Sequence, residues 1–329
     1  MDPCFFHPAT VRTRLSRRLP GRTNSGCTWV VAAGLRAEVE MEMGERVDSL
    51  PGTRDEFFTA RSCTPISGHD GRLLLISSGD QHFTDLSSAL DPSAYPARVV
   101  IARLGESFSS LASSALRLQD EGIVHGAIAG RSVRFNERLG RTALGRFSCS
   151  VPMRGLTARD RERYYPQFDA KADYRSPEFH LLTIIVHSAA RHVTNSDIER
   201  VRDAVGNKTE HLDKIIGLGR TSAIASLEAT WRTWDGYSLC RLFTELVQDA
   251  TCTTDISQNA WLSGVLSVLE NGAAVDPSVR PGLIQLRRLF EKAWYHSGSV
   301  DDCQAALDAV EAKAAGLVRA QRDSVQLRE

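Results

Sequence analysis

The sequence is short of lysine and carries no net charge. Its 40 Lys+Arg balance 40 Asp+Glu, which argues against a general affinity for nucleic acid. The lysines are Lys171, Lys208, Lys214, Lys292 and Lys313, so none precedes position 171. The 7 cysteines are odd in number and form no Cys-x-x-Cys pair. That excludes the usual zinc spacing and a fully paired disulfide framework, and mostly free thiols are expected. No apolar run approaches the ~20 residues needed to cross a bilayer, so no membrane span is expected. Gly-x-Ser-x-Gly and His-Glu-x-x-His are both missing, which removes the common hydrolase and zinc-protease signatures. His180, His187, His192 and His211 have no i, i+4 partner with a third carboxylate ligand, so neither a metal nor any other cofactor is implied.

What is present suffices for a large core. A chain of 329 residues with 42% hydrophobic content predicts one large two-lobed unit or two domains. Residues 3–37 hold no Asp or Glu but include Arg12, Arg14, Arg17, Arg18 and Arg22. Residues 1–27 therefore read as a basic disordered leader or a targeting segment, with Cys27 to Leu35 as a short apolar stretch of secretory type.

From Thr28 to Ile76 the pattern predicts strands rather than long helices: Trp29-Val30-Val31, the alternation Val39, Met41, Met43, then Phe57-Phe58 and Leu73 to Ile76. Leu104, Phe108, Leu111, Ala115 and Leu118 recur at helical spacing, which predicts one buried helix face ended by Gly122. Val133-Arg134-Phe135 and Arg141 to Leu144 predict two strands around the turn Asn136 to Gly140. Further helical stripes are Leu242, Phe243 and Leu246; Trp261, Leu262, Val265, Leu266 and Leu269; and Leu283, Leu286, Phe290 and Trp294. Asp301 to Arg322 predicts an alanine-rich helix. Phe179 to Ala190 predicts a buried helix, and Ser196 to Glu199 a capping box opening an amphipathic helix on Ile198, Val201 and Val205.

Several short motifs occur in a telling order. His125-Gly126-Ala127, with Ser132 five positions after Ala127, is followed by Ala143-Leu144-Gly145, then Ser176-Pro177-Glu178, Asp235 and Arg280. Over residues 73–294 this order resembles the protein kinase superfamily, in which a His-(Arg or Gly)-Asp loop with a following Asn precedes Asp-Phe-Gly and Ala-Pro-Glu. The resemblance implies an α+β, protein-kinase-like two-lobed fold: an eroded, sheet-rich small lobe over residues 28–80 and a large, mainly helical lobe over 81–300. An insertion would fall at about 180–230, and a carboxy-terminal helix over 301–329.

It also implies that the chemistry has been removed. Ala127 stands where the family has its base, Ser132 where it has Asn, and Ala143 where it has the magnesium-binding Asp. No Gly-x-Gly-x-x-Gly precedes residue 76. If residues 58–61 form the third strand, Arg61 replaces the phosphate-pairing lysine. The structural positions persist: His125 and Gly126 in the loop, Gly145, and Pro177 with Glu178, whose family partner corresponds to Arg280. Asp235 corresponds to the residue that caps the loop through backbone N–H groups.

Within the superfamily the run Leu118 to Gly126 is most similar to the rhoptry kinases and pseudokinases of apicomplexan parasites, with the kinase-like proteins of large DNA viruses, herpesviruses included, as the runner-up kinship. The resemblance implies a catalytically inactive scaffold that binds proteins, an active kinase or a host protein among them. It implies secretion or delivery into a host if the first kinship holds, and a cytoplasmic site otherwise. The alternatives are an unorthodox serine/threonine kinase using Asp120, Glu121 or Asp160, or a helical structural protein unrelated to kinases. The insertion is expected to supply either a partner surface or a face that docks on its own lobe.

Overall fold

The computed structural model describes residues 28–33, 35–52, 55–60, 62–65, 72–77, 83–206, 209–251 and 259–326. The leader expected over residues 1–27, and Arg61, lie outside the described residues. After strand β1 (Thr28–Ala33) the chain forms helix α1 (Leu35–Asp48), not the strand that the alternation Val39, Met41, Met43 predicts. That alternation overlaps a second spacing. Val39, Met43 and Val47 lie four apart and are fully buried, whereas Met41 is only half buried. The segment is also built from Leu, Ala, Arg, Met and Glu, all strong helix formers.

Strands β2 (Phe57–Phe58), β3 (Ser62–Pro65) and β4 (Arg72–Ser77) follow, and β1-β4-β3 make one antiparallel sheet. Strand β2 covers only Phe57–Phe58 of the stretch expected as a third strand, and Arg61 itself is not described.

Strand β5 (Phe83–Asp85) runs into the short helix α2 (Leu86–Ala89), and Pro96 then opens helix α3 (Ala97–Asp120). Leu104, Phe108, Leu111, Ala115 and Leu118 are at most 1% exposed, so the predicted face is the buried one. The helix ends before Gly122, at φ 71°. Strand β6 (Ile123–Val124), strand β7 (Val133–Asn136), strand β8 (Arg141–Gly145) and strand β9 (Val151–Pro152) come next. The β7–β8 turn is held by Asn136, whose Oδ1 accepts from the N–H of Arg138 and of Leu139, both at 3.1 Å. The second sheet has the order β2-β8-β7-β5, with β2 parallel to β8 and the other pairs antiparallel. It joins the start of the chain to its middle.

The remainder is helical: α4 (Ala158–Tyr164), α5 (Pro177–His187), α6 (Asn195–Val205), α7 (Arg220–Glu228), α8 (Trp234–Thr251), α9 (Ala260–Gly272), α10 (Leu283–His296) and α11 (Val300–Gln326). The chain is thus α+β and mostly helical, with small sheets. Phe108 of α3 stacks on Phe290 of α10 at 3.7 Å between centroids and meets Phe243 of α8 edge-on at 5.1 Å. One core cluster runs from Val39 in α1 to Val310 in α11. α11 packs on it through Ala306 and Val310, while its last turns are largely exposed. Among the described residues, no helix is long and apolar enough to cross a membrane.

The segment expected as an insertion packs inward. Helix α5 is buried along Pro177 to Val186, as a helix apolar on nearly all faces must be. Ile198 and Val201 of α6, Leu212 of a 3₁₀ turn, and Ala223 and Leu227 of α7 are also buried, and α6 and α7 both lie against α5. Arg161 of α4 makes two 2.8 Å bonds to Glu228 of α7. The capping box is Thr194 with Asp197, two residues ahead of the predicted Ser196 and Glu199. Thr194 has the extended backbone of a cap, its hydroxyl accepts from Asp197 N–H, and Asp197 accepts from Thr194 N–H at 2.9 Å. Val201→Ala should lower stability by about 2 kcal/mol, from two lost methyl groups and the space they leave. Urea unfolding checks this, because a stripe reserved for a partner would give a few tenths at most.

Candidate functional site

The site is the loop between β6 and β7 together with the elements that hold it. Asp235, in the first turn of α8, is 4% exposed and aims its carboxylate at this loop. One oxygen accepts from His125 N–H at 2.8 Å and the other from Gly126 N–H at 3.0 Å. No cation is bonded to it among the described residues. Burial therefore outweighs the two N–H bonds and pushes its carboxyl up to about 6. Gly126 has φ 69°, and a Cβ there would lie 2.6 Å from the Cys149 carbonyl oxygen. Only glycine lets the loop turn so close to the chain beyond β8.

His125 is fully buried, edge-on to Phe147 at 5.3 Å. Its Nε2 lies 3.0 Å from the Gly145 carbonyl and its Nδ1 takes the Ala127 N–H at 3.3 Å. That pairing requires the proton on Nε2. Burial, only partly offset by the Gly145 carbonyl, pushes the imidazole down to about 4 and keeps it neutral. Ser132 is committed to the loop as well. Its hydroxyl accepts from Ala129 N–H at 2.9 Å and lies 2.8 Å from the Ala127 carbonyl and 2.9 Å from that of Ala129.

Ala127 and Ala143 are buried methyl groups, and Ala143 pairs in register with Arg134 across the β7–β8 ladder. At Gly145 an added Cβ would lie 2.4 Å from the Phe58 ring and 2.5 Å from its carbonyl oxygen. The glycine is what allows β2 to lie against β8. The next residue, Arg146, sits in the left-handed region at φ 65°. Burial and then the charges of Arg134 and Arg131 hold its guanidinium below its ordinary range, against the opposing pull of Glu40 and Asp85. Asp85 forms an ion pair with Arg134.

Helix α1 supplies side chains that the sequence reading missed. Glu40 is 2% exposed, and burial pushes its carboxyl up to about 7 against the opposing pull of the nearby Phe147 and Ser148 backbone and the charge of Arg146. Arg36 donates to the carbonyls of Ser148 at 3.1 Å, Tyr164 at 2.9 Å and Tyr165 at 3.3 Å, and to that of Arg163. Tyr164 donates to Glu42 at 2.5 Å. The helix is thus clamped onto the segment that leaves β8. A charged residue among buried positions of a helix was the available signal, and it required the helix to be recognised first.

A second cluster surrounds Glu178. Pro177 is the first residue of α5, and the Ser176 hydroxyl caps it by accepting from Phe179 N–H at 3.3 Å. Glu178 and Arg280, both side chains 1% exposed, form a two-pronged pair at 2.9 and 3.0 Å. His211 adds a 2.8 Å bond to Glu178. Arg280 also bonds the carbonyls of Ala274 and Val275 and the Thr233 hydroxyl, and lies 4.9 Å over the Tyr237 ring. Burial works to raise the Glu178 carboxyl, but the Arg280 charge and the bonds from His211 and Arg280 prevail and hold it below the usual range.

The chemistry available is limited by what these side chains are. The loop gathers His125, Gly126, Ala127 and Ser132 under Asp235, with Gly145 behind His125, while Ala143 faces Arg134 and offers no ligand. Pro177, Glu178 and Arg280 meet elsewhere in the helical part. Asp160 is engaged in the cap of α4 with Thr157 at 2.6 Å. His180 bonds the Ala172 carbonyl and His187 that of Tyr165, each at 3.0 Å. Among the described residues, no group of three or more His, Cys, Asp and Glu is placed to hold a metal. No family model and no curated protein matches the chain.

Proposed function

We propose that this chain is a pseudokinase: a two-lobed, protein-kinase-like protein without phosphotransfer activity that works as a protein-binding or regulatory scaffold. The observation that carries the reading is the Asp235 carboxylate on the N–H groups of His125 and Gly126. That contact is mechanical and serves a loop in which the next side chain, Ala127, has no acid–base capacity. The Glu178–Arg280 pair supports the same reading, since it joins residues 102 positions apart at the spacing the motif order implies. So does the clamp of α1 on residues 148–165, because a scaffold depends on a fixed shape and α1 is fixed by Arg36 and Glu42. The partner is a protein, of a kind that the kinship with parasite or viral kinase-like proteins would suggest.

A positioned base contributes about 10²- to 10⁴-fold to a proton-transfer step, and magnesium neutralises charge on the transferring phosphoryl group. With methyl groups at 127 and 143, neither is supplied by the motif positions. Purified protein incubated with labelled ATP, magnesium and generic protein substrates should incorporate no label above a heat-killed control. ATP with magnesium should leave its melting temperature unchanged at sub-millimolar nucleotide, because Mg²⁺ needs oxygen ligands. Autophosphorylation lost on a substitution in the 125–146 region would overturn the reading. A magnesium-dependent rise in melting temperature would overturn the claim that no metal–nucleotide complex is held.

A further inference from the structure

Arg175, the residue before Ser176, is 4% exposed, and among the described residues no carboxylate lies within salt-bridge distance of it. Its Nε and Nη1 have no hydrogen-bond partner. The atom its Nη2 meets is Cys149 Sγ, at 3.3 Å. The guanidinium otherwise lies 5.6 Å from the ring centres of Tyr174 and Phe179. The charge of Asp169 acts on the guanidinium without an ion-pair contact, so two of its buried nitrogens remain without acceptors, and an oxygen placed on the sulfur it touches would supply one. Cys149 closes the 3₁₀ turn Phe147–Cys149 and is half-buried. The other free thiols described are Cys240, which is buried, and Cys303, which is exposed.

We infer that Cys149 is a modification site, a nucleophilic thiol that takes hydroperoxides and is held for that reaction by Arg175. In the step, the thiolate sulfur attacks one oxygen of the peroxide. The S–O bond forms as the O–O bond breaks, the sulfur is oxidised by two electrons, and the departing hydroxide or alkoxide takes a proton from water. The oxygen left on sulfur is an acceptor beside a guanidinium that still has unpartnered N–H groups, so the product is stabilised by the same residue. The inference does not depend on the pseudokinase reading, since it uses only this contact and the burial around it.

The full-length protein, treated briefly with hydrogen peroxide and then with dimedone, reads out sulfenic acid at each cysteine by peptide mass spectrometry. Cys149 should be labelled about tenfold faster than Cys303, although Cys303 is the more exposed. In urea the two rates should converge, because the advantage belongs to the folded arrangement. Arg175→Met should bring Cys149 down to the Cys303 rate, and Arg175→Lys should retain part of the advantage. If Arg175→Met fails to fold, the comparison of native with urea-unfolded parent protein decides. Labelling of Cys149 no faster than Cys303 in the native protein would overturn the inference.

Discussion

Glu178→Ala should reduce folding stability by about 3 to 5 kcal/mol, the usual effect of leaving one partner of a buried ion pair without the other. Arg280 is 6% exposed and would keep its charge, because its carbonyl partners at Ala274 and Val275 do not neutralise it. His211 would lose its 2.8 Å partner in the same step. Glu162→Ala is the control: the Glu162 side chain is 69% exposed and its nearest cation, on Arg220, is 3.7 Å away, so the change should be nearly silent. The Glu178 carboxyl is held below its unfolded value, so its contribution is fully present above that value and is lost as pH falls through the folded one. Chemical denaturation of both variants at neutral pH checks the size. A Glu178→Ala protein that melts within a degree of the parent would show that the pair organises nothing.

The contacts that were legible in the sequence share a feature: each rests on a local pattern or on motifs whose order is informative. The α3 stripe could be read because Leu104, Phe108, Leu111, Ala115 and Leu118 face one way over many turns, and the averaging over turns removes ambiguity. The β7–β8 hairpin could be read from Asn136 and Gly140, which mark the turn chemically. Helix α1 could not be read, because Val39, Met41 and Met43 satisfy a strand period over too short a stretch to exclude a helical one. Glu40 and Arg36 were lost with it. His211 had no sequence signal at all, since its bond to Glu178 spans 33 positions and depends on where α5 and the following 3₁₀ turn pack. The cap of α6 was displaced because Ser196 to Glu199 and Thr194 to Asp197 both present a hydroxyl followed three residues later by a carboxylate. The backbone chose the earlier pair by turning extended at Thr194. For the 180–230 segment, composition could establish an apolar stripe but not what covers it, and α5 and the 3₁₀ turn at Glu210–Ile215 prove to be the cover.

Asp235→Ala should destabilise the fold by roughly 2 to 6 kcal/mol, because it leaves the N–H groups of His125 and Gly126 buried with no acceptor, at about 1 to 3 kcal/mol for each. Asp235→Asn, which keeps one acceptor, should fall about midway. The pH dependence gives a second reading of the same contact. The folded carboxyl of Asp235 is raised to about 6, so its contribution is greatest below the unfolded value and is lost as pH rises through about 6. His125 and His180 act in the opposite direction. Burial pushes His125 down to about 4, and burial together with the Arg175 charge pushes His180 down to about 3, so the stability they provide is full above about 6.5 and is lost as pH falls toward those values. The parent protein therefore loses histidine terms in acid while gaining one from Asp235, a gain that both variants lack. Glu40, raised to about 7, contributes equally to all three proteins. The stability gap between parent and Asp235→Ala should therefore widen by about 1.4 kcal/mol between pH 7.5 and pH 5, one unit of titration below the folded value. Urea unfolding at the two pH values measures it. A gap that stays constant would mean that Asp235 ionises as it would in water, and a gap below about 1 kcal/mol at both would mean that the loop does not rest on its carboxylate.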